Sequence, residues 1–357
     1  MRVGFLTRYS SLGASSRIRA MQYEPVLNAF GIETRFLPLL GDAYLSALYG
    51  GKRSLPEVAR CYARRMRQAG RLTGFDLLWI EKELLPYAPL WIESKLLQEQ
   101  PYVLDIDDAV FHNYDHSRSV LVRAVLGGKI DGLMAGARLV TAGNGYLAQR
   151  ARASGARWVE VLPSVIDLDR YPAEAGVEKA RHSDGIARLA WIGSPATAHY
   201  LELVRLPLQM LAADLSVELR VIGAAAPTWS GVRTRSIRWS ESTEAEQLQS
   251  CDIGIMPLAD GPWERGKCGY KLIQYMACSL PVVASAVGAN NDIIASGREG
   301  FLVEGAEQWE RQLRRLIIDP LYAAELGRQG RQKVVSLYSL QASGPRLADL
   351  LQDAINR

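Results

Sequence analysis

The sequence has little material for a metal centre or a disulfide framework. It contains four cysteines and four histidines among 357 residues, and neither set shows the spacing of metal ligands or of paired cysteines. A chain of this length with so few cysteines is typical of a reducing compartment, so we predict a cytoplasmic protein.

Long apolar runs and a strong charge bias are also absent. A transmembrane helix needs roughly 20 consecutive apolar residues, and no run in the sequence reaches that length. The opening MRVGFLTRYS is too short and too polar to be a secretory signal. The net charge of +4 is too mild for a dedicated nucleic-acid binder, so no nucleic-acid partner is expected.

One stretch is more basic than the rest. Residues 50–71 hold seven lysines and arginines and one acid. Such a stretch is either the solvated face of a helix or a contact for anionic lipid. The second interpretation predicts peripheral contact of residues 52–71 with the inner face of the membrane.

Short apolar runs alternate with longer amphipathic segments, which is the pattern of parallel sheets flanked by helices. The candidate strands of the first half are RVGFLT, IETRFLPL, DLLWIE, YVLDID, RLVTAG and WVEVLPS. Those of the second half are ARLAWIGSP, VELRVIG, SIRWSE, IGIMPL, PVVASA and GFLVEG. After the first strand, SSRIRAMQYEPVLNAFG predicts a helix that ends at Gly31.

The length and this pattern predict an α/β protein of two doubly wound domains. We place the first domain at 1–168 and the second at 185–343. The intervening segment 169–184 contains prolines and acids without a clear period, so we predict a linker there.

The stretch GKCGYKLIQYMACS carries the strongest chemical signal. A glycine loop enters a predicted helix, where free backbone N–H groups and the positive end of the helix dipole favour an anion. Lys267 and Lys271 could meet two phosphates, with Gly269 and Tyr270 between them. The alternative is a plain surface loop followed by a core helix.

The segment from DIGIMPL through GKCGYKLIQYMACSLPVVASAVGANNDII to GREGFLV resembles the donor-binding half of GT-B glycosyltransferases of family 4, also called group 1. The resemblance implies two Rossmann-like domains facing across a cleft, with a final helix at 344–357 crossing back to the first. It also implies metal-independent, retaining hexosyl transfer from a nucleotide diphosphate-sugar to a carbohydrate or lipid-linked acceptor, without a cofactor. Surface polysaccharide or glycolipid assembly is the context that it suggests.

The chain departs from the family pattern at several positions. Gln274 stands where the family has a glutamate that contacts the donor ribose, and an amide can still bond hydroxyls. The other family glutamate position falls on Gly266, with Glu264 close by as a substitute. The predicted donor-binding residues are Gly13, Arg17, Gly193, Ser194, Gly223, Trp239, Lys267, Gly269, Tyr270, Lys271 and Gln274. Trp239 is included because the resemblance places the nucleotide base at that strand end, where an indole could stack on it.

Acidic residues follow the strand YVLDID of the first half. Asp107 and Asp108, together with Glu264, are the predicted catalytic residues, because a carboxylate here could accept a proton from an acceptor hydroxyl. Asp105, His112 and Glu81 are predicted to contact the acceptor. Binding of Mg²⁺ by the clustered aspartates and capping of the next segment are the alternatives.

Two other functions fit the same resemblance. A GT-B-type nucleotide-sugar epimerase would use one sugar and no acceptor, and a non-catalytic partner protein would have kept only the fold. A NAD-dependent dehydrogenase is disfavoured, because the loop after the first strand lacks the Gly-x-Gly-x-x-Gly pattern.

Overall fold

The computed structural model describes residues 1–49, 54–69, 72–97, 100–172 and 184–357. The chain forms two compact units. Unit 1 comprises Met1–Val165, Arg265–Cys268 and Leu340–Arg357, and unit 2 comprises Ile166–Glu264 and Gly269–Ser339. Unit 2 begins before the predicted linker, because Ile166 and Tyr171 are buried in its core. Most of the predicted linker, residues 173–183, lies outside the described residues.

The predicted strands of unit 1 form one six-stranded parallel sheet in the order β2-β1-β3-β4-β5-β6. Its strands are β1 (Arg2–Leu6), β2 (Glu33–Phe36), β3 (Leu77–Glu81), β4 (Tyr102–Ile106), β5 (Leu139–Ala142) and β6 (Val159–Val161). The central strands β3 and β4 are buried along their whole length, as expected when helices cover both faces of a parallel sheet. The strand order reverses between β1 and β3, which places a crevice at their carboxyl ends.

The helices of unit 1 lie between its strands along the chain. They are α1 (Ala14–Arg19), α2 (Glu24–Ala29), α3 (Asp42–Tyr49), α4 (Leu55–Ala69), α5 (Leu90–Leu97), α6 (His112–Asp115), α7 (Val120–Leu126), α8 (Lys129–Gly136) and α9 (Gly145–Ala153). Short 3-10 helices lie at Met21–Tyr23 and Leu72–Gly74. The prediction of a single helix ending at Gly31 is wrong. The segment forms two helices, α1 and α2, because Pro25 has no backbone N–H and fits the first turn of a new helix.

The C-terminal helix packs in the core of unit 1. This helix, α17 (Leu340–Asn356), begins before the predicted residue 344 and carries Pro345 within it. Its buried leucines join Val3 and Phe5 of β1 in one hydrophobic cluster. A Cβ at Gly344 would lie 2.7 Å from Cγ1 of Val26, so the absence of a side chain allows α17 to pack closely on α2.

The predicted strands of unit 2 form a second six-stranded parallel sheet, in the order β12-β11-β10-β7-β8-β9. They are β7 (Ala187–Ile192), β8 (Val217–Ile222), β9 (Arg233–Ile237), β10 (Ile253–Met256), β11 (Val282–Ser285) and β12 (Gly300–Val303). The order reverses between β10 and β7, as in a Rossmann fold. Alternate residues of β7 enter two separate hydrophobic clusters, Leu189 and Trp191 in one and Ala190 and Ile192 in the other. Unit 2 therefore has a core on each face of its sheet.

The helices of unit 2 cover both faces of this sheet. They are α10 (Arg205–Ala212), α11 (Glu244–Gln249), α12 (Pro262–Arg265), α13 (Tyr270–Ala277), α14 (Asn290–Ile293), α15 (Gly305–Ile318) and α16 (Pro320–Leu337). Residue Arg265, at the end of α12, belongs to unit 1 by its contacts. Short 3-10 helices lie at Leu168–Arg170 and Pro195–Val204.

Candidate functional site

Lys271 lies at the reversal point of the unit 2 sheet. Its Nζ is 4.4 Å from the centre of the Trp191 ring at the end of β7, a cation–π arrangement. A Cβ at Gly193, which follows β7, would lie 2.6 Å from the Trp191 ring and 2.8 Å from Nζ of Lys271. Glycine at position 193 is thus what allows the ammonium group to lie against the backbone after β7.

A second glycine extends this surface towards Trp239. Gly223 follows β8 with φ of +90°, and a Cβ there would lie 2.5 Å from the carbonyl oxygen of Gly193 and 3.4 Å from Cβ of Trp239. The loops after β7, β8 and β9 are therefore adjacent. A cation, two glycines and an indole lie in a row across three strand ends. We call this row the glycine floor, and it comprises Lys271, Gly193, Gly223 and Trp239.

The helix α13 directs its N-terminus to the same edge of the sheet. Gly269 is its N-cap with φ of +64°, no side chain caps the helix, and a Cβ would lie 2.4 Å from Cδ1 of Ile293. Tyr275 anchors the helix, because its hydroxyl accepts from the N–H of Ile192 (3.0 Å) and donates to the carbonyl of Ile255 (3.1 Å). These bonds reach the two strands that flank the reversal, β7 and β10. Tyr270 and Lys271 form the first turn of α13, where the helix dipole is positive.

Gln274 is buried in a hydrogen-bonded chain rather than exposed. Its Nε2 donates to the hydroxyl of Tyr171 (3.4 Å), which in turn donates to Glu244. Trp239 donates through Nε1 to the other carboxylate oxygen of Glu244. Burial raises the pKa of Tyr171, so its hydroxyl keeps its proton and remains a donor. The chain joins α13 to the indole, and its central carboxylate was missed because an acid at a helix start is usually a dipole partner.

Three other predicted residues of this region have local partners. Glu264 of α12 accepts a hydrogen bond from the hydroxyl of Tyr200. Ser194 is exposed, and its carbonyl accepts from the N–H of Thr197 (3.0 Å) at the start of the 3-10 helix after β7. Lys267 belongs with unit 1, where Nδ2 of Asn144 donates to its carbonyl (3.0 Å). The predicted pair of lysines is thus divided between the two units.

The absence of a glutamate at position 266 has a steric reason. A Cβ at Gly266 would lie 2.5 Å from Cβ and 2.7 Å from the backbone nitrogen of Ala109. A larger side chain cannot enter without moving the backbone. The family pattern is therefore broken here by close packing.

The aspartates after β4 surround a lysine that the sequence analysis did not identify. Nζ of Lys82 lies 3.0 Å from Oδ1 of Asp107 and 3.0 Å from Oδ2 of Asp108. Ser15 donates to the other oxygen of Asp107 (2.6 Å). Burial disfavours the charged carboxylate, but the positive charges of Lys82 and Arg19 outweigh it and lower the pKa of Asp107. Lys82 thus supplies a positive charge to the two carboxylates that the alternative interpretation assigns to Mg²⁺.

Asp105 and Glu81 are fully buried, which corrects their prediction as direct acceptor contacts. Arg19 binds both oxygens of Asp105, at 3.0 Å from Nε and 2.5 Å from Nη2, and Thr141 donates at 2.7 Å. Glu81 accepts from the N–H of Arg8 (2.9 Å) and the hydroxyl of Ser16 (2.6 Å). Burial raises the pKa of both carboxyl groups. Glu81 thus bonds the loop after β1, and Asp105 bonds α1, which follows that loop.

The loop after β1 is tied to the same cluster. Gly13 is the N-cap of α1, and a Cβ there would lie 2.3 Å from Cβ of Tyr9. Arg17 donates to the carbonyl of Ser11 (2.9 Å) within its own loop. Ser15, between them, reaches Asp107 as described above. The structure therefore brings the predicted Gly13 loop and the predicted aspartates together.

His112 is held by neighbours on both ring nitrogens. Nδ1 lies 2.8 Å from Asp115 and Nε2 lies 2.8 Å from the hydroxyl of Tyr146. His116 stacks on it, with ring centres 4.1 Å apart. His112, Asp115 and His116 lie close enough to hold a metal ion, but Arg150 already pairs with Asp115 at 3.1 Å. Both ring nitrogens of His112 are therefore occupied by protein partners.

A family model described as "Glycosyl transferases group 1" matches residues 190–319. Among curated proteins, the chain is 28% identical over 187 residues to alpha-maltose-1-phosphate synthase of Mycolicibacterium smegmatis, covering 49% of this chain and 46% of that one. It is 27% identical over 113 residues to D-inositol 3-phosphate glycosyltransferase of Streptosporangium roseum, covering 31% and 25%. It is 29% identical over 109 residues to a GDP-mannose-dependent monoacylated alpha-(1-6)-phosphatidylinositol monomannoside mannosyltransferase of Corynebacterium glutamicum, covering 29% and 28%. The matches thus span less than half the length of these relatives.

Solved structures match almost the whole chain. Sucrose-phosphate synthase from Thermosynechococcus elongatus gives a TM-score of 0.71 at 15% identity, covering 99% of this chain and 98% of that one. HepE from Anabaena, solved with UDP, gives 0.71 at 14% identity, covering 99% and 100%. At these identities the likeness shows the fold, and it is the two-domain α/β architecture predicted from the sequence.

Proposed function

We propose that this chain, which has a GT-B fold and matches the family model of group 1 glycosyl transferases over residues 190–319, transfers a sugar from a nucleotide diphosphate-sugar to an acceptor hydroxyl. The observation that carries the proposal is the glycine floor beside the N-terminus of α13. It offers a cation and a helix dipole for a diphosphate, a backbone without side chains for close approach, and an indole for a base. HepE, a structural neighbour, is solved with UDP-glucose.

The proposed chemistry uses the two units for different tasks. The bond from the anomeric carbon to the diphosphate breaks, and its electron pair leaves with the diphosphate. Lys271 and the start of α13 stabilise the charge that develops there. The acceptor oxygen forms the new bond and loses its proton, for which Asp107 and Asp108 are the proposed acceptors. The positive charge of Lys82 helps to lower the pKa of Asp107 and so favours the ionised form of that carboxylate.

We infer that the reaction needs no divalent cation and retains the anomeric configuration. Fixed positive charges stand where a metal would otherwise neutralise charge, at Lys271 for the diphosphate and at Lys82 for the aspartates. Activity that persists after exhaustive treatment with EDTA is the expected result. Proton coupling at the new glycosidic linkage, measured by NMR, tests retention.

A carbohydrate or lipid-linked acceptor is the proposed partner, in polysaccharide or glycolipid assembly at the inner face of the membrane. Two relatives support this class of acceptor, since one is named for an inositol phosphate and the other for a monoacylated phosphatidylinositol monomannoside. None of the helices in the described part of the chain is long and apolar enough to cross a bilayer.

One experiment separates the proposal from its two rivals. The protein is incubated with UDP-, GDP- and dTDP-sugars without an acceptor, and the donor is followed by NMR. Slow release of free sugar supports a transferase, whereas an isomerised donor identifies an epimerase. A donor that binds but stays unchanged, also with an acceptor panel present, indicates a non-catalytic fold.

A further inference from the structure

We propose that an apolar and basic surface of unit 1 docks on an anionic lipid bilayer. We call it the α7 surface, because four of its six members belong to α7. Its six members are Trp91, Arg118, Val120, Leu121, Arg123 and Val125.

The apolar members are unusually exposed for their type. Trp91 is 67% exposed, Val120 70%, Leu121 72% and Val125 52%. Leu121 and Val125 are four residues apart on one helix and so lie on the same face. Single exposed apolar side chains are ordinary, but a cluster of them marks an interaction surface.

The two helices that carry these residues, α5 and α7, share a neighbour in unit 1. The helix α8 packs against both α5 and α7, and α6 packs against α7. Tyr114 of α6 contacts Tyr87 edge to face, with ring centres 5.4 Å apart. Tyr87 is itself 63% exposed and has the left-handed φ of +59°, an uncommon conformation for a bulky residue. The exposed Trp91, Tyr87 and apolar side chains of α7 are therefore carried by elements that α6 and α8 connect, and we call this part of unit 1 the corner.

The charge of this corner points to an anionic partner. The sequence has no acid at 84–92 or at 116–130, and the flanking Asp115 and Asp131 both pair with Arg150. Arg123 donates to the carbonyl of Ser117, which leaves its positive charge in place. Basic side chains around apolar ones are the pattern of a membrane-surface contact. A second copy of the chain fits less well, because it would bring the same arginines together.

The α7 surface is separate from the basic segment at 52–71, for which the sequence also predicts a membrane contact. Three of the four arginines of α4 are used within unit 1. Arg64 donates to the carbonyls of Pro38 (3.1 Å) and Leu39 (2.8 Å), and Arg60 pairs with Glu57. Arg65 is 1% exposed, and burial lowers its pKa to about 9. Residues 52, 53, 70 and 71 lie outside the described residues.

Co-sedimentation with vesicles tests the proposal. The parent protein should bind vesicles of phosphatidylcholine and phosphatidylglycerol in equal amounts, and bind pure phosphatidylcholine weakly. The double variant Trp91→Asp with Leu121→Asp should lose binding to both kinds of vesicle. The variant Arg118→Gln with Arg123→Gln should bind the anionic vesicles about 30-fold more weakly, roughly fivefold for each arginine. Its affinity for the neutral vesicles should change little.

Matched controls lie in unit 2. Leu321 is 75% exposed on α16, so Leu321→Asp should leave vesicle binding unchanged, and so should Arg298→Gln with Arg311→Gln. Circular dichroism checks that every variant is folded. The proposal is overturned if the parent ignores anionic vesicles, or if the controls lose binding as much as the α7 variants. It is also overturned if light scattering shows a dimer that Leu121→Asp dissolves, since the surface would then join two copies.

Discussion

At the residue scale, Lys82 combines three properties that rarely occur together on a surface loop. It is 6% exposed, it has φ of +65°, and its ammonium group lies between two carboxylates. A left-handed backbone at a residue other than glycine is often retained for function. The lowered pKa of Asp107 means that this pairing stabilises the fold above the ordinary pKa of aspartate. That stabilisation is lost as the pH falls through the lowered value.

The variant Lys82→Met should move the acidic limb of the pH–activity profile to higher pH. Removing the cation raises the pKa of Asp107, so the carboxylate takes up its proton at a higher pH and can no longer accept one from the acceptor. The measurement is kcat/KM against pH, with Lys82→Arg as the control that keeps the charge. If the acidic limb of Lys82→Met lay at the same pH as in the parent, Lys82 would have no effect on the ionisation that limits activity.

Glu244 gives a second residue-scale prediction. Its carboxylate holds the indole edge of Trp239, so Glu244→Ala should free the ring and weaken UDP binding by about tenfold, the value of one charge-assisted hydrogen bond. Pyrophosphate binding should not change, because pyrophosphate has no base. Calorimetry with both ligands measures the difference, and Glu246→Ala on the exposed face of α11 is the matched control. Equal losses for UDP and pyrophosphate would contradict a role at the base.

At the element scale, the position of α13 depends on Tyr275. Tyr275→Phe removes its hydroxyl and leaves the buried N–H of Ile192 without that partner, which should cost about 1–3 kcal/mol of unfolding free energy. Urea denaturation measures this cost. Tyr338→Phe, on a partly buried tyrosine of the same unit, is the control and should cost less. A variant as stable as the parent would show that packing alone holds α13.

The strands were easier to predict from the sequence than the helix boundaries and the contacts of the site. All twelve strands were predicted. The central ones are continuous buried runs such as β3 and β4, whereas the edge strands β2 and β9 are partly exposed and polar. The division of the first predicted helix into α1 and α2 was missed, since its apolar period continues across Pro25. The roles of Lys82 and Glu244 could not be predicted, because each depends on partners that only the folded chain brings near. Gly193 and Gly223 were predicted as donor-binding residues, whereas their adjacency follows from the order of β7 and β8 in the sheet.

At the scale of the whole molecule, the C-terminal helix α17 packs into the core of unit 1, whose strands all lie in the first half of the chain. Leu347 of α17 is fully buried beside Val3 and Phe5. Leu347→Ala should lower the unfolding free energy by about 2–5 kcal/mol, through lost burial and a cavity. Thermal unfolding measures the loss. At a temperature where the variant is folded, its affinity for pyrophosphate should equal that of the parent. A lower affinity would contradict this prediction and show that the core of unit 1 affects the site in unit 2.

The central claim is that the start of α13 with Lys271 binds the diphosphate of the donor. The most direct measurement is calorimetric titration of UDP and pyrophosphate into the parent, Lys271→Ala and the control Lys95→Ala in unit 1. We predict that Lys271→Ala loses about 10- to 150-fold in affinity for both ligands, as a charge-assisted contact is worth about 1.5–3 kcal/mol, while Lys95→Ala binds like the parent. A folded Lys271→Ala variant that binds both ligands as tightly as the parent would contradict the account.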